Sequence, residues 1–312
     1  MLDTIKIGHA TDRDNGTGCT VILPPSPNIT SASVRGASPG SRELALLAPE
    51  KKISEIHGLL LTGGSAYGLG GAHQLMLALK EAGRGYQTEY GIVPLIPAAV
   101  IFDKNIGNNE AYPTNDQVKE AFHGASVNAK QYGSIGAGTG ATVGKWKGIN
   151  HAMKGGIGIF EQKLGDLKVT VLSVVNAVGD IVNPDGTILA GAINEQKQFY
   201  ARTESAFSGR KPDVGLMDNT VLTVVMTNAL LTKMQAYQVA DHAHYGLARA
   251  IKPSHTSYDG DTVFAIALPD VQAPLDVIFS LTTDTVEQSI RQSVIYAETL
   301  HGVPSVKDLD MD

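Results

Sequence analysis

Residues 218–228, DNTVLTVVMTN, carry a polar turn straight into a β-branched strand. Residues 167–176, LKVTVLSVVN, form the clearest strand of the chain and end in the amide of Asn176. Two β-rich runs of this length call for a sheet to hold them. The first residue of the run after the turn is Thr220. Threonine is a good strand former, and Asn-Thr at a turn-to-strand boundary is ordinary. It is also a candidate nucleophile. If the Asn219–Thr220 peptide bond breaks, Thr220 carries a free α-amine beside its hydroxyl, and one residue then acts as nucleophile and base together.

The remaining pattern mixes strands and helices. Residues 5–9 and 19–23 read as strands joined by a polar loop, residues 56–61 as a buried strand, and residues 98–103 as the end of another strand region. Short strands near 181–182 and 187–190 complete a meander, and a further strand covers residues 262–266. A short helix is expected over residues 41–47. Thr114 opens an amphipathic helix to about Lys130, with Val118, Ala121, Phe122 and Ala125 on one side. Thr232-Lys233-Met234-Gln235 has a capping-box pattern and starts a helix to about Ala250. Asp284-Thr285-Val286-Glu287 opens another to about Leu300, closed by Gly302 and Pro304. The chain reads as one α/β domain over residues 1–312.

Charge and composition narrow the function. A formal charge of −6, a pI near 5.8 and no cluster of Lys and Arg disfavour nucleic acid as a partner. Cys19 is the single cysteine, so an intrachain disulfide or a cysteine-based metal site is excluded. His242 and His244 stand two apart on the predicted helix and cannot form the i, i+4 metal pair. The N-terminus lacks the basic-then-apolar pattern of a secretory signal. The longest apolar run, residues 92–102, is broken by Pro94 and Pro97 and falls short of the roughly 20 residues of a membrane helix. A cytoplasmic protein with no membrane partner, no metal and no cofactor is expected.

The 34 glycines amount to about one residue in nine, against a usual ~7%. Thr62-Gly63-Gly64-Ser65 links a strand to a helix and can turn backbone N–H groups toward an anion or oxyanion; close helix-on-sheet packing explains the glycines equally well. Tyr67 stands where the Gly-x-Ser-x-Gly motif needs its last glycine. The densest stretch, residues 133–146, fails as a phosphate loop. Gly140 and Gly144 are one residue too close, and Trp146 occupies the hydroxyl position. Lys145 is then the cation of a flexible loop. Arg35 and Arg42, in a Gly/Ser/Pro-rich loop, suit either a carboxylate or solvent. Asn176 suits the start of a turn. Asp259 and Asp261 share a face if the chain is extended there, but Asp-Gly is a stock hairpin turn and the residues alone favour that reading. Residues 196–218 are polar, as befits an exposed linker and a processing site.

Six segments together resemble the DmpA-like family of self-processing peptidases, the L-aminopeptidase/D-esterase family, which includes β-aminopeptidases and nylon-oligomer hydrolases. They are IGHATD from Ile7, VRGASPGSRE from Val34, GLLLTGGSAYGL from Gly58, GSIGAGTGATVGK from Gly133, NTVLTVVMTNA from Asn219 and YDGDTVFA from Tyr258. The resemblance implies an α/β fold, a four-layer αββα sandwich of the DmpA/ornithine acetyltransferase type, self-cleavage between Asn219 and Thr220 into an α-chain (1–219) and a β-chain (220–312), and a homotetramer of processed units. It implies hydrolysis of amide bonds in short peptides, amino-acyl amides or ω-amino-acid oligomers such as nylon-6 oligomers. Thr220 would be the nucleophile, Asp259 and Asp261 its orienting acids, and Lys145 and Asn176 the lining of the reaction centre. Phe102, Gly64 and Tyr67 are candidates for a substrate pocket; the nylon-oligomer branch has tyrosine where this chain has Phe102. An acyltransferase of the ornithine acetyltransferase type and a non-catalytic binding protein are the competing expectations.

Overall fold

The computed structural model describes residues 4–127, 131–201 and 219–309. Most of the expected linker, residues 202–218, lies outside them, as do residues 128–130. The helix expected to run to about Lys130 already ends at His123, where Gly124 stops it and Ser126 pairs with Ile7. In chain order the principal elements are β1 (Lys6–Asp12), β2 (Thr17–Leu23), β3 (Ile29–Val34), β4 (Ser41–Arg42), β5 (Leu59–Thr62), α1 (Gly71–Glu81), β6 (Ala98–Val100) and α2 (Asn115–His123). They continue with β7 (Gly156–Leu164), β8 (Leu167–Asn176), β9 (Thr220–Ala229), α3 (Lys233–Ala250), β10 (Thr262–Val271) and α4 (Leu275–Ile295).

These strands form two five-stranded sheets, in the orders β1-β2-β5-β6-β4 and β7-β8-β9-β10-β3. Both repeat the same pairing: two antiparallel ladders, one parallel, one antiparallel. The central strand β9 is buried along its whole length. Its side chains alternate between two apolar environments, as the two-residue period of a strand requires. Leu222, Val224 and Met226 meet Ile22, Leu59 and Leu61 of the first sheet. Val221 and Val225 face Val239 and Leu247 of α3 and Ile290 of α4. Burying each such side chain contributes about 1.5–3 kcal/mol, which is why this strand is apolar on both faces. A third cluster packs Leu75 and Leu79 of α1 and Val118 of α2 against Val21 and Leu60.

The capping box at Thr232 is formed as its spacing predicts, and Thr114 caps α2 with a box of the same kind. Elsewhere the boundaries differ. Residues 41–42 pair with Ala99 and Ala98 as a short strand, and only Leu44–Leu47 coil, as a 3-10 turn. The helix expected from Asp284 begins nine residues earlier at Leu275, after Pro274, and stops at Ile295. The acid-bearing tetrapeptide lies inside it, where Thr285 donates to the Leu281 carbonyl at 2.6 Å, a mid-helix bond rather than a cap. Among the described residues no helix is long and apolar enough to cross a membrane.

Helix α4 lies directly on β7. A Cβ on Gly158 would run into the backbone carbonyl of Ser289. Gly158→Ala should therefore destabilise the fold by about 1–3 kcal/mol, the usual penalty for overpacking. Urea unfolding of the purified variant checks this, and an unchanged midpoint would contradict the close approach.

Candidate active site

The N-terminal end of β9 gathers residues from four separate segments. Antiparallel register sets Asn176 at the end of β8 opposite Thr220. On the other side, parallel pairing places Asp259 beside Asn219. Thr220 is 6% exposed, and its hydroxyl donates to the carbonyl oxygen of Asn219 at 2.5 Å. The backbone N–H of Gly260 donates to that same oxygen at 2.8 Å. The carbonyl before Thr220 is thus held by two donors, one of them the hydroxyl of the next residue. Any Cβ on Gly260 would lie 2.7 Å from the Thr220 hydroxyl, so this position excludes a side chain.

Asp259 and Asp261 are both 2% exposed and flank Gly260. They do not form a hairpin turn. The nonlocal ladder to β9 overrides the local preference of Asp-Gly, and Asp261 instead accepts the Val221 N–H at 2.8 Å, next to Thr220. Its other oxygen lies 2.8 Å from Nδ1 of His255. Asp259 accepts the Thr256 N–H at 2.6 Å. Burial first, and the charge of Asp261 second, push the Asp259 carboxyl up to about 6. Residues after β3 brace this segment: the N–H groups of Arg35 and Ser38 donate to the carbonyls of Asp261 and Asp259 at 3.1 and 2.9 Å. Arg35 itself forks onto Asp241 at 3.1 and 2.7 Å.

Lys145 reaches the site from the glycine-rich stretch. Its ammonium donates to the side-chain and backbone oxygens of Asn176 at 2.8 and 3.1 Å. The Asn176 amide also accepts the Thr142 N–H at 3.0 Å and donates to the Phe102 carbonyl at 3.0 Å. Phe102 therefore meets this network through its backbone. The expectation of a flexible loop is corrected: Gly136 to Trp146 is buried throughout. The cause is Lys154, which is fully buried and donates to the carbonyls of Thr139 and Ala141 at 2.8 and 2.6 Å. Burial pushes its ammonium down to about 7.

The anion faced by the Thr62–Ser65 turn is internal. Gly64 N–H donates to Asp103 at 2.7 Å, and Thr17 donates to the other carboxylate oxygen at 2.7 Å. Burial raises the Asp103 pKa. Tyr67, by contrast, is 66% exposed, stacked on Tyr112 with Lys104 over its ring. Arg42 lies in β4. Among the described residues no group of His, Cys, Asp and Glu could hold a metal. A cavity of about 390 Å³ lined by Pro27, Lys168, Asn228 and Asp270 lies at the far end of β9 from Thr220. A polar cleft of about 710 Å³ runs between Lys104–Asn109 and His301–Pro304.

Four contributors were not singled out in the sequence: Gly260, His255, Lys154 and Asp103. His255 sits four residues before Asp259 and was the most visible of them. Lys154 and Asp103 carry no local pattern.

The family model for peptidase family S58 matches residues 2–307. The chain belongs to peptidase family S58. Membership in S58 makes it a peptidase, a hydrolase of amide bonds. It is 34% identical to an uncharacterized aminopeptidase of Mycobacterium tuberculosis, over 98% of this chain and 95% of that protein. It is 29% identical to a 6-aminohexanoate-oligomer endohydrolase of Paenarthrobacter ureafaciens, over 86% of this chain and 74% of that protein. Among solved structures, the L-aminopeptidase D-Ala-esterase/amidase of Ochrobactrum anthropi, described as a variant of the Ntn hydrolase fold, superposes with a TM-score of 0.75. That match covers 97% of this chain and 86% of the other at 19% identity, and so speaks for the fold.

The lysine under the S58 glycine-rich stretch makes a pH test. Unfolded, Lys154 returns to its ordinary 10.5, so between about pH 7 and 10.5 the unfolded chain binds more protons than the folded one. Stability from this site therefore rises with pH across that window. The stability of wild type relative to Lys154→Met should increase from about pH 7 to about pH 10 in matched denaturation curves. A pH-independent difference would contradict the burial of a titrating ammonium.

Proposed function

We propose that the chain is a self-processing amide hydrolase whose nucleophile is Thr220, released as an N-terminus by cleavage of the Asn219–Thr220 bond. The observation that carries this reading is the Asn219 carbonyl oxygen, held by the Gly260 N–H at 2.8 Å and the Thr220 hydroxyl at 2.5 Å. Attack of the Thr220 oxygen on the Asn219 carbonyl carbon forms a tetrahedral centre. As the C–N bond breaks, the hydroxyl proton ends on the departing nitrogen and an ester remains. Water opens that ester and leaves the Asn219 carboxylate and a free Thr220 α-amine. Residues 1–219 then form an α-chain and residues 220–312 a β-chain. The two packed sheets with α1 and α2 on one side and α3 and α4 on the other support a four-layer αββα order, and a tetramer of processed units is the corresponding assembly.

In turnover the α-amine, with a reference pKa of about 7.7–8.0, accepts the hydroxyl proton while the Thr220 oxygen attacks the substrate amide carbon. The amine product leaves with a proton, and water hydrolyses the ester. Asp259 and Asp261 hold the N-terminus in place. Lys145, fixed by Asn176, supplies positive charge for the oxyanion, an electrostatic contribution of roughly 3–4 kcal/mol per well-placed donor in other enzymes. The buried acid pair favours substrates with a free amino end: short peptides, amino-acyl amides or ω-amino-acid oligomers of the kind named for the endohydrolase relative.

Thr220→Ala should remain one chain on a denaturing gel and lose activity on the order of 10³-fold or more. Thr220→Ser should still split. A wild type that stays in one piece while hydrolysing amides would refute the reading.

A further inference from the structure

His255 belongs to none of the roles above, yet it touches Asp261, the acid that accepts the Val221 N–H beside Thr220. Its Nδ1 lies 2.8 Å from Asp261 Oδ2, and its Nε2 faces the carbonyl oxygen of His244 at 3.4 Å. Both ring nitrogens thus lie near oxygens that accept, an arrangement that suits a charged ring, although the Nδ1–H is not aligned for a hydrogen bond to the carboxylate. The other Asp261 oxygen accepts the Val221 N–H, so His255, Asp261 and the start of β9 form one connected unit. The backbone of His255 is left-handed, with φ of 53°, an unusual state for a residue with a Cβ and one that its surroundings must maintain.

Asp261 faces the His255 ring from the segment before β10, with Asp259 two residues away. His244 of α3 packs edge-on at 4.8 Å between ring centroids. Burial lowers His244 to about 4, so that ring is neutral; its Nε2 lies 3.2 Å from the Ser33 carbonyl oxygen. Arg35 adds positive charge from the end of β3, mostly balanced by Asp241 of α3. Burial alone would lower His255, but the close carboxylate of Asp261 outweighs it and raises the pKa. Two carboxylates buried on either side of one glycine need a counter-charge if both are to ionise. His255 is a counter-charge in direct contact with Asp261, one of the pair.

We infer that His255 is a positioning residue: its imidazolium supplies the counter-charge beside the buried acid pair, holds Asp261 aimed at the start of β9, and so sets the acidic limit of the Thr220 reaction. This rests on the reading of Thr220 as the nucleophile. Without the imidazolium the proton of Asp259, whose pKa is already raised to about 6, is retained to higher pH. The α-amine of Thr220 then loses its anchor over the same range.

Two measurements separate this inference from the reading beneath it. In Thr220→Ala protein, where no chemistry is needed, nitrogen NMR of His255 should show both ring nitrogens protonated and a midpoint above the ordinary 6.5. Adding Asp261→Asn should lower that midpoint. A midpoint at or below 6.5, or one unmoved by Asp261→Asn, overturns the role of His255 and leaves Thr220 untouched. In processed enzyme, His255→Asn retains a residue that tolerates the left-handed backbone. Its acidic limb of kcat should move up by on the order of one pH unit, with activity approaching wild type on the alkaline side. A uniform loss at every pH would mark a merely structural role and overturn the inference.

Discussion

The parallel pairing of β9 with β10 is the constraint on which the site depends. Parallel neighbours start at the same end of a sheet, so whatever precedes one strand lies beside whatever precedes the other. Helix α3 supplies the crossover and returns the chain to that end. Asp259, Gly260 and Asp261 consequently meet Asn219 and Thr220, about 40 residues away in sequence. No local preference could have brought them together. The same pairing aims the Gly260 N–H at the Asn219 carbonyl and the Asp261 carboxylate at the Val221 N–H.

Around that junction the protein buries more charge than a stable core requires. Lys145, Lys154, Asp103, Asp259 and Asp261 are each at most 6% exposed. Isolated, such charges would cost several kcal/mol apiece, and they persist because each is met by hydrogen bonds or by an opposite charge. Lys154 ties down the carbonyls of the glycine-rich stretch, Asn176 fixes Lys145, and Asp103 is met by the turn at Gly64 and by Thr17. Stability is spent here on geometry. The result is a Thr220 whose neighbours are held in place.

The limits of the sequence reading follow from range. Periodic, capped or β-branched segments declare themselves locally, so β8 and α3 match their expected bounds to within a residue. Helix α4 was expected too short because its first turns bury Ile278, Thr282 and Thr283, a face too rich in hydroxyls to read as apolar. The glycine-rich stretch reads as flexible because glycine is locally permissive; Lys154, in contact with it in space but unremarkable in sequence, removes that freedom. Thr220, Asn176, Lys145, Asp259 and Asp261 were all named from the sequence, and the structure brings the five to one end of the second sheet. Gly64 and Tyr67 part company, one turned inward to Asp103 and the other out to solvent.

The central claim is that Thr220 must become an N-terminus before it can act. The most direct measurement quenches the enzyme during turnover of a slowly deacylating amino-acyl ester and maps the trapped acyl group by mass spectrometry. The account predicts the added mass on a peptide whose first residue is Thr220, carried as an ester on its hydroxyl. An acyl group on any other residue, or on Thr220 within an uncleaved chain, would contradict it.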